Sequence, residues 1–234
     1  MGEMEFDAEV KEIIKRTYNV KSFRFEKPRN LSYKPGQFMF ITVKIDGQER
    51  QKHFTISSSP TEDFLEFTKK LTGHEFSNAL DALKEGVWVR IRAPYGFFSF
   101  EGEHDKVGML TGGIGVTPLR SMCKYVTDSK LSTRITLLYS NRTGQDIVFK
   151  DQFDEMQKQN RNLKVVYTLT RPSEEWEGYT GRVNKGMVEK EIPDYKDRVF
   201  YTSGPPKLVE SMENLLKELE VPKDQIKKEN FPGY

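Results

Sequence analysis

A single cysteine, Cys123, in 234 residues excludes an internal disulfide and any iron–sulfur cluster held by three or four cysteines of this chain. The three histidines, His53, His74 and His104, show neither HxH nor HExxH spacing, so no metal site is expected. Formal net charge is only +2 and the basic residues are scattered rather than stacked on one face, which argues against a nucleic-acid partner. No run approaches the roughly 18 apolar residues of a membrane span. The stretch MGEMEFDAEVKEI lacks an apolar signal core, and Phe6 breaks the myristoylation pattern. These absences lead us to expect a soluble, cytoplasmic chain with no membrane partner, in which any redox chemistry comes from a bound organic cofactor.

What the chain does have is two halves with different rhythms. Strand-like alternation runs through Glu5 to Ile14, Phe23 and Phe25, Phe38 to Ile45, Phe54 to Ser58, Phe64 to Leu71 and Val87 to Arg92. Turn signals at Lys34-Pro35-Gly36, Asp46-Gly47 and Ser59-Pro60 separate these runs, and only Phe76 to Leu83 reads as helix. Short strands at this spacing predict an antiparallel β-barrel. After Lys106, strand and helix alternate: Val107 to Thr111, Leu119 to Val126, Ile135 to Tyr139, Phe149 to Met156, Val165 to Leu169 and Val199 to Tyr201. A last helix carries Leu208, Met212, Leu215, Leu216 and Leu219 on one stripe, started by Pro205 and Pro206. The expectation is a barrel domain over residues 1–102 and an α/β domain with a doubly wound parallel sheet over 103–234, divided near Glu101 to Asp105.

Five segments carry chemistry. GGIGVTP, Gly112 to Pro118, lies between an apolar strand and a helix. Gly113 and Gly115 allow a sharp turn and close approach of an anion to backbone N–H groups, Thr117 is placed to cap the helix, and Pro118 suits its first turn. By itself this string also fits an ordinary glycine-rich loop. KHFTISSSP, Lys52 to Pro60, is a hydroxyl-rich strand in which alternation sends Lys52, Phe54 and Ile56 one way and His53, Thr55 and Ser57 the other. Downstream of it lie FTKKLTGHEFSNAL, Phe67 to Leu80, and APYGFF, Ala93 to Phe98. TSGPP, Thr202 to Pro206, ends a second parallel strand on the carboxyl edge where doubly wound sheets bind ligands.

Taken in their order along the chain, the segments resemble the ferredoxin-NADP reductase superfamily, over roughly residues 5–234. Its Arg-x-(Tyr/Phe)-(Ser/Thr) hallmark is matched by Lys52, His53, Phe54 and Thr55, with lysine in place of arginine. The resemblance implies FAD on the barrel: Lys52 at the pyrophosphate as a point charge rather than a fork, Phe54 along the isoalloxazine and ribityl, and Thr55 near flavin N5. It also implies that Phe67, Thr68 and Lys69 line the flavin and that the Gly73 to Asn78 loop, with Phe76, Ser77 and Asn78, meets the second phosphate. By the same resemblance, Gly112, Gly113, Gly115, Thr117 and Pro118 hold the pyrophosphate of NAD(P)H, and Gly204 and Pro205 flank the nicotinamide. Ser203 stands where many members carry cysteine, and Phe231 or Tyr234 covers the exposed flavin face. The resemblance further implies that a hydride passes from nicotinamide C4 to flavin N5 across the cleft.

Just after the strand Ile135 to Tyr139 come Ser140, Asn141 and Arg142, of which Ser140 and Arg142 could hold a 2′-phosphate, and no carboxylate appears before Asp146, so NADPH is favoured over NADH. The chain has neither the cysteines nor the span for a fused iron–sulfur or haem domain, so a separate acceptor is expected. The candidates are a ferredoxin or flavodoxin docked on Lys69, Lys70, Lys11 and Lys15, or a partner oxygenase or reductase subunit. Direct reduction of free flavin or ferric chelates is the other enzymatic reading, and a flavin-carrying subunit of a stable complex is the rival.

Overall fold

The computed structural model describes residues 2–231. Strands β1 (Met4–Glu9), β7 (Trp88–Tyr95), β4 (Phe38–Ile45) and β5 (Gln48–Thr55) pair antiparallel in that order, and β2 (Glu12–Thr17), β3 (Val20–Glu26) and β6 (Phe64–Lys70) form a second antiparallel sheet. An isolated bridge between Ile56 and Phe67 joins the two at one seam. At the other seam the expected single strand Glu5 to Ile14 is two strands. Val10 is fully buried, its N–H donates to the Val87 carbonyl, and the next N–H, on Lys11, donates to the Arg24 carbonyl, so the chain changes sheets there, where the alternation of Phe6, Ala8 and Val10 gives way to the exposed pair Lys11 and Glu12. Phe23, Phe25, Met39, Ile41, Phe54, Ile56 and Phe67 fill the interior. Helix α1 (Glu75–Asp81) lies beside this core through Phe76 and Leu80.

The second half is a six-stranded sheet, all parallel, in the order β11 (Tyr179–Thr180), β10 (Leu163–Leu169), β9 (Arg134–Asn141), β8 (Lys106–Gly112), β12 (Val199–Gly204), β13 (Ile226–Asn230). The chain moves outward from β8 to β11 and then returns to the other side of β8, which puts the switch of direction between β8 and β12. Helices α2 (Thr117–Asp128) and α3 (Lys150–Gln159) belong to the layer containing Met109, Leu119, Met122, Leu137 and Phe153. On the other side, α4 (Lys185–Glu191) and α5 (Pro206–Glu218) bring Val188, Met212 and Leu216 to Leu110, Leu138 and Phe200. Alternation along each strand, Met109 against Leu110, divides the two layers.

Three elements lie outside the sequence expectation, β11, α4 and β13. β13 reads Ile-Lys-Lys-Glu-Asn, an edge strand without an apolar run, and α4 is a short helix begun by Asn184, whose side chain accepts the Met187 N–H at 3.1 Å. α3 starts one residue later than its apolar pattern because Phe149 adopts a left-handed backbone with φ +63°. The two halves share one apolar cluster, in which Val20, Phe98 and Phe100 meet the α2 layer. No helix among the described residues is long and apolar enough to cross a membrane, and no group of metal-ligating side chains occurs among them.

Candidate functional site

A cavity of about 500 Å³ opens where β5, β6 and α1 of the barrel face the start of α2 and the end of β13. Lys52, His53, Phe54, Thr55, Thr68, Lys69, Phe76 and Ser77, all among the residues singled out by the motifs, line it from the barrel side. Phe54 is 8% exposed and mostly committed to the core, stacked on Phe67 at 4.8 Å, whereas His53 lies outside against Phe38 and Phe40 at 5.2 and 5.9 Å. Phe67 is wholly interior. The Gly73 loop is held by its own side chains: the Ser77 hydroxyl accepts the Thr72 N–H at 2.9 Å and the Asn78 amide donates to the Gly73 carbonyl at 3.0 Å. Gly73 has φ +78°, which suits glycine. Burial, then the like charges of Lys52 and Lys70, lower Lys69 to about 8.

The opposite wall holds residues the motifs did not single out, Glu229 and Asn230, next to Phe231. Glu229 Oε2 is buried without a hydrogen-bond partner, and loss of solvation raises its carboxyl to about 8. Pattern reasoning missed it because an acid in a polar edge run looks solvated; only the pairing of Glu229 beside Ser203 brings it over the cavity. Phe231 docks through its N–H to the Gly204 carbonyl at 2.8 Å, while Tyr234 lies outside the described residues.

A second cavity, about 460 Å³, lies over the carboxyl edge of the parallel sheet. Gly112, Gly113, Ser140, Asn141, Arg142 and Pro205 line it from the sheet, and Asn19, Val20 and Lys70 from the barrel. Asn141 is 5% exposed, and both polar atoms of its amide are buried without partners. Asp146 accepts from Tyr18 O–H at 2.9 Å and from the Thr143 N–H and hydroxyl at 3.0 and 2.7 Å. Burial opposes its charge, but these bonds and Lys70 hold its carboxyl below the usual range.

The glycine-rich turn differs in detail from its sequence reading. Gly113–Val116 is a tight 3₁₀ turn running into α2, with Pro118 in the first helical turn. Thr117 does not cap the helix; it is the first helical residue, its hydroxyl donates to the Ile114 carbonyl at 3.2 Å, and it lines the first cavity rather than the second. Gly115 lines neither cavity. A Cβ there would lie 2.2 Å from the Ser203 carbonyl oxygen and 2.8 Å from Gly204 Cα, so glycine is required by the crossing of the turn over the end of β12. Ser203 is fully buried and donates to the Gly115 carbonyl at 2.7 Å, which fixes that crossing, and Gly204, with φ +140°, completes it. Of the four lysines expected to form one dock, Lys69 lines the first cavity, Lys70 lines the second, Lys11 pairs with Glu9 at 3.5 Å on the barrel exterior, and Lys15 lies on β2 opposite Lys21 of β3.

Residues 7–100 match the family model of the oxidoreductase FAD-binding domain, and residues 109–214 that of the oxidoreductase NAD-binding domain. The chain is 32% identical over 212 residues to a glycine betaine monooxygenase reductase subunit of Pseudomonas aeruginosa, covering 87% of this chain and 58% of that protein. It is 30% identical over 212 residues to an uncharacterized oxidoreductase of Saccharomyces cerevisiae, covering 88% of this chain and 68% of that one. Among solved structures, the cytochrome b5 reductase domain of Ulva prolifera nitrate reductase superposes with a TM-score of 0.85 at 25% identity over 97% of both chains. With two matched domains in this order and a shared two-domain fold, the chain belongs to the ferredoxin-NADP reductase superfamily, as an oxidoreductase with an FAD-binding and an NAD(P)-binding domain.

Proposed function

We propose that this chain is an NAD(P)H-dependent flavoprotein reductase that prefers NADPH and passes its electrons to a separate acceptor protein. One observation carries the reading: Ile114, in the turn between β8 and α2, lines both cavities, so two ligand sites of nucleotide-binding size meet across one residue. The first cavity suits FAD. Lys52 and Lys69 supply positive charge for its pyrophosphate, hydroxyls of Thr55 and Thr68 supply polar contacts, and Phe38, Phe40, Phe76 and Phe231 exclude water. FAD held there would supply the hydride and electron transfer that no side chain here provides. Thr55 orients the ring, and Glu229, uncharged at neutral pH, holds a proton at the cavity wall.

The second cavity suits the pyridine nucleotide. Its backbone turn at Gly112 and Gly113 receives phosphate, and the orphaned Asn141 amide gains partners when a ribose fills the space. Lys70, Arg142, Arg182 and Lys207 line it, and Asp146, the one carboxylate lining it among the described residues, is already engaged by Tyr18 and Thr143. A 2′-phosphate therefore meets cations rather than a free carboxylate. Similarity to a monooxygenase reductase subunit favours an oxygenase component as the acceptor, with ferredoxin or flavodoxin as the other protein class.

Anaerobic titration of the flavin-loaded protein with NADPH and NADH tests this, followed by addition of ferredoxin, flavodoxin, free flavin or an oxygenase component. Bleaching by NADPH at lower concentration than NADH is expected, with the difference lost in Arg142→Ala. A folded protein that binds no flavin, or whose flavin neither nucleotide bleaches, sinks the proposal.

A further inference from the structure

We infer that Arg120 is a positioning residue for hydride transfer, clamping the strand that carries Thr55 to the helix that carries the Gly112–Val116 turn. This rests on the reading of the two cavities as FAD and NAD(P)H sites. Arg120 is 3% exposed, in the first turns of α2 beyond Thr117. Its Nε donates to Gln152 Oε1 at 2.8 Å, Nη1 to the Ser57 carbonyl at 3.0 Å, and Nη2 to Glu62 Oε1 at 2.8 Å, with Nη1 also donating to Glu62 Oε2. Its neighbour Ser121 donates to the Ser58 carbonyl at 2.6 Å. Two consecutive helix residues thus hold two consecutive carbonyls of the segment just after Thr55.

That segment is anchored on the barrel side as well. The Ser57 hydroxyl donates to Glu66 at 2.9 Å, and Glu66, fully buried, accepts from Arg16 at 2.8 Å and Arg24 at 2.9 Å. The guanidinium groups of Arg16 and Arg120 lie over the same Phe149 ring, at 5.1 and 5.7 Å from its centre. Thr55 lies two residues before the clamped carbonyl and Thr117 three residues before Arg120, so each end of the clamp is within one turn of a cavity wall. A buried ion pair adds little net stability, and an apolar contact would hold two domains as well. A planar fork differs in fixing direction and distance, and lysine cannot reproduce it. Hydride transfer depends steeply on such distance.

The test uses flavin-loaded Arg120→Lys and, as a milder change, Ser121→Ala, with flavin reduction followed in stopped flow and amide hydrogen exchange measured on the flavin-free proteins. For Arg120→Lys we expect the limiting reduction rate at saturating NADPH to fall about 10- to 100-fold, the NADPH Kd to move less than about threefold, and the long-wavelength nicotinamide–flavin absorbance to weaken. In the flavin-free protein, exchange at residues 56–58 and at 117–121 should rise together. A limiting rate within about twofold of the parent, or faster exchange at one segment alone, overturns the inference. Should Arg120→Lys fail to fold, Ser121→Ala decides, by the same two outcomes in smaller measure. Exchange is read without cofactor, so failure of the cofactor reading itself shows instead as parent protein that takes up no flavin.

Discussion

Lys69 occupies the first cavity close enough to Lys52 and Lys70 for their charges, after burial, to bring its ammonium down to about 8. An anionic cofactor stabilises the protonated form, so flavin affinity should be full below pH 8 and fall as pH rises through that value. Fluorescence titration from pH 6 to 9.5 checks this, and Lys69→Met should bind weakly without the slope; a slope that survives the substitution assigns it elsewhere. Glu229 is shifted in the opposite direction, upward. Its folded value, about 8, lies above the ordinary 4.5, so the fold holds the proton more tightly than the unfolded chain does. The contribution of Glu229 to stability is therefore expected to be full below pH 4.5, to decline as pH rises through the window to 8, and to be level beyond. Glu229→Gln should remove that decline, seen as a Tm gain at pH 8 absent at pH 4.5, and equal gains at both would exclude the titration. Lys52 and Lys69, which both line the cavity, were singled out by their motifs, Lys52 as a cation and Lys69 as part of a lining strand. Glu229 was not, because its burial comes from strand pairing and not from its neighbours in sequence.

At the scale of elements, periodicity located β4, β6, β8 and α5 closely, since each buries one face or stripe along its length. It failed where an element changes sheets, at Val10 and Lys11, and where an element is short or lies at an edge, as in α4 and β13. The glycine-rich turn shows a subtler limit. Gly113, at φ +54° with open space at its Cβ position, fits the role of a backbone turn against a ligand, but Gly115 is demanded by β12. Gly115→Ala forces its methyl onto the Ser203 carbonyl and should destabilise the protein by about 1–3 kcal/mol in urea unfolding. An unchanged midpoint would mean that the turn yields and that the crossing is not tight.

The molecule as a whole is bound across its cleft by apolar and polar contacts together: Val20, Phe98 and Phe100 in the α2 cluster, and the Arg120, Glu62 and Glu66 network beside them. With that interface the barrel and the sheet should unfold as one unit. Trp88 lies in the barrel and Trp176 in the α/β half, so single-tryptophan variants report each separately. Coincident transitions are expected, both moved upward by one FAD per chain, and separated midpoints would contradict the coupling.

Alternating apolar residues, turn signals and turn-forming glycines act over a few neighbours, and so the sequence alone determined a barrel followed by a parallel sheet and singled out two stretches that line the cavities. Which groups meet across the cleft was decided only by tertiary structure. Ile114 shared by both cavities, Arg120 holding Ser57, Glu229 left without a partner and Gly115 pressed on β12 all join residues far apart in the chain, and such contacts arise from packing two domains, which no local pattern encodes.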